Sequence, residues 1–266
     1  MAILDQPYDL QQRDIDAFRQ NGHVLLRGVA TPETIARYQP IIHAASKKFN
    51  TEQRALEDRD TYGKAFLQIM NLWRRDEQVA EFALASRFAE IAAKLLGVER
   101  VRMYHDQALY KEPGGGPTPW HQDQYYWPLD TTETITMWMP LVDITRDMGM
   151  LDFASGSQAD GRVDSTEISD DSERLFDEVV KAKNYPVTDQ TAMRAGDATW
   201  HQGWTIHRAG PNESPTTTRE VITVIYFADG ARVTKPVNDA QENDRKTWLA
   251  SREVGELADS ELNPVL

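Results

Sequence analysis

Residues 117–127 read PTPWHQDQYYW and place His121 and Asp123 two positions apart. In an extended chain such residues point to the same side. A strand or strand end here presents an imidazole and a carboxylate together, with Trp120 and Gln122 turned the other way. That pair is two-thirds of the ligand set that holds a non-haem Fe(II) in an open facial triad. A third ligand is available from His201 or His207, which with Gly203 and Thr205 line one face of a regular strand over 198–208. His207 stands at the strand end before Gly210 and Pro211, where a pocket mouth belongs, and His201 lies deeper. Arg219 opens the next strand, and a hairpin would set it about opposite His207. A guanidinium buried beside a metal requires an anionic partner, and a dicarboxylate held bidentately supplies one. Singly, each of these residues has an ordinary reading as a core histidine or a surface ion pair. The conjunction points to a metal site with an acidic cosubstrate.

Composition bounds what surrounds such a site. The 266 residues, 40% hydrophobic and 27% charged, suit a soluble globular chain with a sizeable core. A net charge of −13 argues against a nucleic-acid footprint. No cysteine is present, so disulfides, thiolate nucleophiles and cysteine-ligated zinc do not arise. No apolar run reaches a membrane span and the N-terminus does not read as a signal peptide, so the expected partner is a small molecule in the cytoplasm, without nucleic acid or membrane.

The elements that must position the site follow from periodicity. Leu10, Ile15 and Phe18 predict a helix stopped at Asn21-Gly22, and 23–29 a strand. Thr31-Pro32 starts a second helix carrying Ile35, Tyr38, Ile42 and Ala45. Segment 51–75 reads as loop with some helix, and 76–96 as a helix closed by Gly97. After it come strands at 98–111, 134–142 and 149–157, a polar excursion over 158–190 with a helix near 172–183, then strands at 198–208 and 219–228. Short strands between glycine and proline turns predict a sandwich or barrel.

The order W-H-x-D, W-x-P-L-x-D, G-x-L-x-F-x-x-G-S and G-D-x-x-x-H-x-G-x-x-x-H-x-x-G-P-N, then Arg219, resembles the phytanoyl-CoA dioxygenase family over about 98–230. The opening F-x-x-N-G-x-V-L-L-R-G is also similar. The resemblance implies a mainly β fold with flanking helices, a double-stranded β-helix (jelly roll) core with N-terminal helices packed on it. One domain over 1–266 is expected, with a helical part to 97, the core over 98–230 and a C-terminal extension over 231–266. It implies His121, Asp123 and His207 as iron ligands, Arg219 as anchor for the distal carboxylate of 2-oxoglutarate, and Trp138 as a wall of that site. His201 then matches a position that is not a ligand and is assigned to the substrate side. Two departures stand out. Gln158 replaces a common histidine, and Ala209 replaces a serine that contacts 2-oxoglutarate, so another polar group must help hold the cosubstrate, with Thr205 and Gln107 as the candidates.

The implied chemistry uses Fe(II), 2-oxoglutarate and O₂ to oxidise a C–H bond with release of succinate and CO₂. Related halogenases need a small residue where Asp123 stands, so hydroxylation, or another oxidation such as desaturation or cyclisation, is favoured over halogenation, with hydroxylation the first expectation. Tyr125 and Trp127 follow the ligand pair and are expected to contact a substrate, with Tyr125, on the ligand face, as first choice. Trp200 and Trp204 alternate to the opposite face and are expected to pack away from the metal. A tailoring oxygenase of secondary metabolism is the preferred reading. The alternatives are a cupin-like isomerase or non-oxidative metal-binding module, neither of which needs Arg219, and a relic scaffold, which would have lost a triad member.

Overall fold

Period-two burial makes the central sheet. The computed structural model describes residues 3–163, 167–188, 190 and 192–266. The N-terminal part holds α1 (Gln12–Asn21), β1 (His23–Leu26), α2 (Pro32–Phe49), α3 (Thr61–Ala65), β2 (Leu67–Met70), α4 (Glu77–Ala83) and α5 (Ser86–Leu96). Next come β3 (Val101–Lys111), β4 (Thr118–His121), β5 (Thr134–Pro140), β6 (Ile144–Thr145), β7 (Leu151–Phe153), α6 (Asp170–Lys183) and β8 (Ala192–Met193). The chain continues through β9 (Ala198–Gln202), β10 (His207–Ala209), β11 (Arg219–Ala228) and α7 (Asp239–Trp248). Six strands form one sheet in the order β1-β9-β5-β11-β3-β2; β4-β10-β7 form a second, and β6-β8 a small third. This is the jelly roll, with flanking helices.

On β11, Ile222, Val224 and Tyr226 join the core under the helices, together with Phe88 and Ile91 of α5. The alternate residues Thr223 and Ile225 face the space between the sheets. β5 divides in the same way, with Ile135, Met137 and Met139 in the helical core and Thr136 and Trp138 inward. Such alternation is what a sheet buried on both faces requires. On β3 the parity changes. Ile225 pairs with His105 and Tyr226 with Met103, so Tyr104 is the extra residue of a bulge. As a result Met103 faces the helices while His105 and Gln107 face inward.

Four sequence expectations are corrected. The strand at 198–208 is two strands in different sheets, because the chain turns at Gly203 and crosses from β9 to β10. A Cβ on Gly203 would lie 2.4 Å from Thr134 Oγ1, so only glycine fits where the chain leaves β9. Because of the crossing His207 and Arg219 are not hairpin partners: β10 pairs with β4 and β7, and β11 with β3 and β5. The helix at 76–96 is two helices, broken at Leu84 and Ala85. The break lets the rings of Phe82 and Phe88 meet edge to face at 5.2 Å, which positions six apart on one helix would not allow. Segment 51–75 contains the strand β2, paired with β3. Of the expected excursion at 158–190, residues 164–166 and 189 lie outside the described residues. Among the described residues no helix is long and apolar enough to cross a membrane.

Candidate active site

Each metal-ligand candidate is held by a different local structure. His121 ends β4 and pairs across the sheet with His207, the first residue of β10. Asp123 opens a short 3-10 helix, Asp123–Tyr126. One ligand atom from each of the three lies within 4.8 Å of the others. The imidazoles are oriented by backbone: His121 Nδ1 lies 2.8 Å from Pro119 O and His207 Nδ1 3.0 Å from Thr205 O. A carbonyl only accepts, so both rings carry their proton on Nδ1 and turn Nε2 inward as a free lone pair.

The two oxygens of Asp123 are not equivalent. Oδ2 accepts from Thr136 Oγ1 at 2.8 Å and from His201 Nε2 at 3.1 Å. Oδ1 lies 3.5 Å from His121 Nε2 and 3.6 Å from His207 Nε2. The carboxylate is thereby clamped with one oxygen toward both imidazoles. Burial alone would raise the Asp123 pKa, but the cluster of His207, His121 and His201 outweighs it whenever it carries a proton, so the carboxyl gives up its proton before the imidazoles do. His207 is pushed well down, first by burial and then by His121 and His201. Deprotonated carboxylate and neutral imidazole are the forms that bind a divalent metal. His201, reached through β9, thus clamps Asp123 and also lines the cavity.

The triad opens on a cavity of about 530 Å³ between the two sheets. Arg219 lies on the same cavity, 1% exposed, its guanidinium 5.3 Å from the Trp138 ring centre. Its Nη1 donates to Gly149 O at 2.7 Å, and Nε has no partner. No carboxylate pairs with it among the described residues. Burial brings it down to about 9, still cationic at neutral pH. Thr118 on β4 pairs with Ala209 on β10, and both line the cavity. Where Ala209 lacks a hydroxyl, the neighbouring strand offers one.

The other expectations divide. Trp138, Gln107 and Trp127 line the cavity. Thr205 does not; its hydroxyl donates to Gly22 O at 2.8 Å, because it lies in the crossing turn instead of on a strand face. Tyr125 is turned away as well, 6% exposed, and Tyr126 lines the cavity in its place. The cause is local: in a 3-10 helix residue i+3, not i+2, shares a face with Asp123. Trp200 packs on Tyr226 in the helical core, away from the triad. Gln158 donates to the carbonyls of Arg19 and Gln20 and does not line the cavity. Thr136, Thr118 and Gln68 also line the cavity, as does α7 with Asp244 and Trp248, and no motif in the sequence marks them. The inward parity of Thr136 on β5 was the one available signal.

Against known proteins, the family model described as phytanoyl-CoA dioxygenase (PhyH) matches residues 18–221. A curated relative, a probable alpha-ketoglutarate-dependent hypophosphite dioxygenase of Stutzerimonas stutzeri, is 24% identical over 153 residues, 55% of this chain. The chain spans about half that relative's length, 52%. Solved structures share the fold. The non-heme alpha ketoglutarate dependent carbocyclase SnoK from nogalamycin biosynthesis superposes with a TM-score of 0.80 at 24% identity, covering 98% of this chain and 99% of that one. The epimerase SnoN, in complex with Fe3+, alpha ketoglutarate and nogalamycin RO, gives 0.75 at 19% identity, with 96% and 97% covered. EctD from S. alaskensis, with 2-oxoglutarate and 5-hydroxyectoine, gives 0.73 at 19%, with 95% and 86% covered.

Proposed function

The chain belongs to the phytanoyl-CoA dioxygenase family, and on that footing we propose that it is an Fe(II)- and 2-oxoglutarate-dependent oxygenase working as one domain over 1–266. Its reaction is hydroxylation of a C–H bond in a small organic molecule of the natural-product kind: substrate, O₂ and 2-oxoglutarate give the alcohol, succinate and CO₂. The observation that carries this reading is Arg219, a buried guanidinium without a carboxylate partner among the described residues, on the same cavity as His121, Asp123 and His207. An isomerase or inert metal module has no use for such a cation, whereas a dicarboxylate cosubstrate neutralises it. SnoN, crystallised with Fe3+ and alpha ketoglutarate, and EctD, with 2-oxoglutarate, support it by shared fold.

The donor set fits the metal. The Nε2 atoms of His121 and His207 and a carboxylate oxygen of Asp123 are a donor set that would hold Fe(II). Bound there, iron would supply the oxidising power. The chain's residues do the rest. Thr136 and His201 fix Asp123, Arg219 and Thr118 hold the distal carboxylate against Trp138, and the aromatic walls exclude water. A carboxylate at Asp123, where a halogenase would need a small residue, argues against halogenation.

Succinate formation from 2-oxoglutarate tests the proposal. The wild type is expected to make succinate only with Fe(II) and O₂. Arg219→Met should raise the KM for 2-oxoglutarate by about 100-fold, since losing one partner of a buried charged pair costs about 2–5 kcal/mol. Metal-independent turnover, or an unchanged KM, would sink it.

A further inference from the structure

The charged lining of the cavity is of two chemical kinds. One part is the triad with the cation Arg219. The remaining charged lining residues are carboxylates: Asp244 and Asp239 on α7, and the exposed Glu167. Apart from Arg219, no lysine or arginine lines the cavity among the described residues. Aromatic surface stands beside the carboxylates, with Trp248, Trp127 and Tyr126 all lining the cavity.

Asp244 is the informative member because it is only 8% exposed. Its Oδ2 accepts from the Tyr104 hydroxyl at 3.0 Å, a contact the β3 bulge makes possible. It has no cationic partner among the described residues. Burial pushes its pKa up to about 7, with hydrogen bonds from Tyr104 and Trp248 offsetting only part. A buried carboxyl left without a countercharge is costly, and a ligand that brings a positive charge relieves the cost. Trp248 and Trp127 flank the same region, their rings 5.2 Å from His105 and 5.6 Å from Tyr104 respectively, and indole faces attract organic cations. A neutral polyol would use the carboxylates as acceptors but gain nothing from their charge.

We propose that the substrate carries a protonated amine or quaternary ammonium on an apolar, ring-bearing body, with the cation seated between the Asp244 carboxylate and the Trp248 and Trp127 rings. This rests on reading the cavity as the oxygenase site. It also orients the substrate, with its positive end toward α7 and its reacting C–H toward the triad.

The test uses enzyme loaded with Fe(II) and 2-oxoglutarate under anaerobic conditions. It is titrated with benzyltrimethylammonium, with the uncharged isostere neopentylbenzene, and with methyl glucoside as a polyol, read by quenching of tryptophan fluorescence. The ammonium is expected to bind at least about tenfold tighter than neopentylbenzene, and Asp244→Asn to erase most of that preference. Should Asp244→Asn fail to fold, Glu167→Gln with Asp239→Asn, both at exposed positions, is expected to lower the preference more weakly. Equal binding of the two isosteres, tighter binding of the glucoside, or a preference untouched by the substitutions would overturn the inference. A preparation that makes succinate yet ignores the ammonium overturns this inference alone, whereas one that makes no succinate overturns the oxygenase reading.

Discussion

At the scale of single residues, the site depends on how Asp123 is divided between its neighbours. Thr136 and His201 hold Oδ2 at 2.8 and 3.1 Å, which leaves Oδ1 to face the two imidazoles. Thr136→Val keeps the shape of the side chain and removes only the donor. Its expected effect is about a 10–100-fold loss of Fe(II) affinity, measured by anaerobic titration, with little change in melting temperature. An unchanged affinity would leave Thr136 a mere packing residue. His121, Asp123, His207 and Arg219 meet on one cavity, as the order of motifs in the chain suggests, but spacing alone admits His201 as readily as His207, and the choice between them comes from the family resemblance. Tyr126 stands on the cavity where Tyr125 was expected for a physical reason: the sequence carries no mark that the strand gives way to a 3-10 turn at Asp123, and that one change of period exchanges Tyr125 for Tyr126.

At the scale of elements, the crossing at Gly203 brings His201 and His207 to the same centre from different sheets. Their rings lie 4.3 Å apart although β9 and β10 share no ladder. A Cβ at Gly203 would press on Thr134 Oγ1, Gln124 Oε1 and Trp127 Cζ3 at 2.4, 2.6 and 2.9 Å. Gly203→Ala is therefore expected to destabilise the protein by about 1–3 kcal/mol in denaturant unfolding, and to weaken metal binding because β10 shifts with the turn. Unaltered stability would show that the crossing has slack. Even spacing of histidines suggested one continuous strand, since alternation alone does not reveal where a strand changes sheets. β2 escaped notice because its four residues, Leu67–Met70, sit in a charged segment and gain their strand character from pairing with β3.

At the scale of the whole molecule, the C-terminal extension proves to be a wall of the active cavity. Asn263 Nδ2 donates to the carbonyls of Met103, Tyr104 and Trp248, which ties the tail to the β3 bulge and to the end of α7. Nothing in the polar sequence of α7 announced this, because its few buried residues are polar and their partners lie on distant strands. Stability also responds to pH as a whole. Lys111, fully buried opposite Arg219 in the β3–β11 register, is brought down to about 6 by burial and by the Arg219 charge. Between about pH 6 and 10 the unfolded chain holds a proton there that the folded chain does not, so this group lowers stability at neutral pH and the loss fades as pH rises. Lys111→Met is expected to raise the melting temperature at pH 7 and to lose that advantage toward pH 10. A constant difference at both pH values would contradict the assignment.

One centre, assembled from both sheets, is expected to hold a metal and a keto-acid jointly. Anaerobic calorimetry of 2-oxoglutarate binding tests this. One equivalent bound per chain is expected with Fe(II) present, with binding lost without metal or in His207→Ala. Equal binding with and without Fe(II), or undiminished binding in His207→Ala, would contradict it.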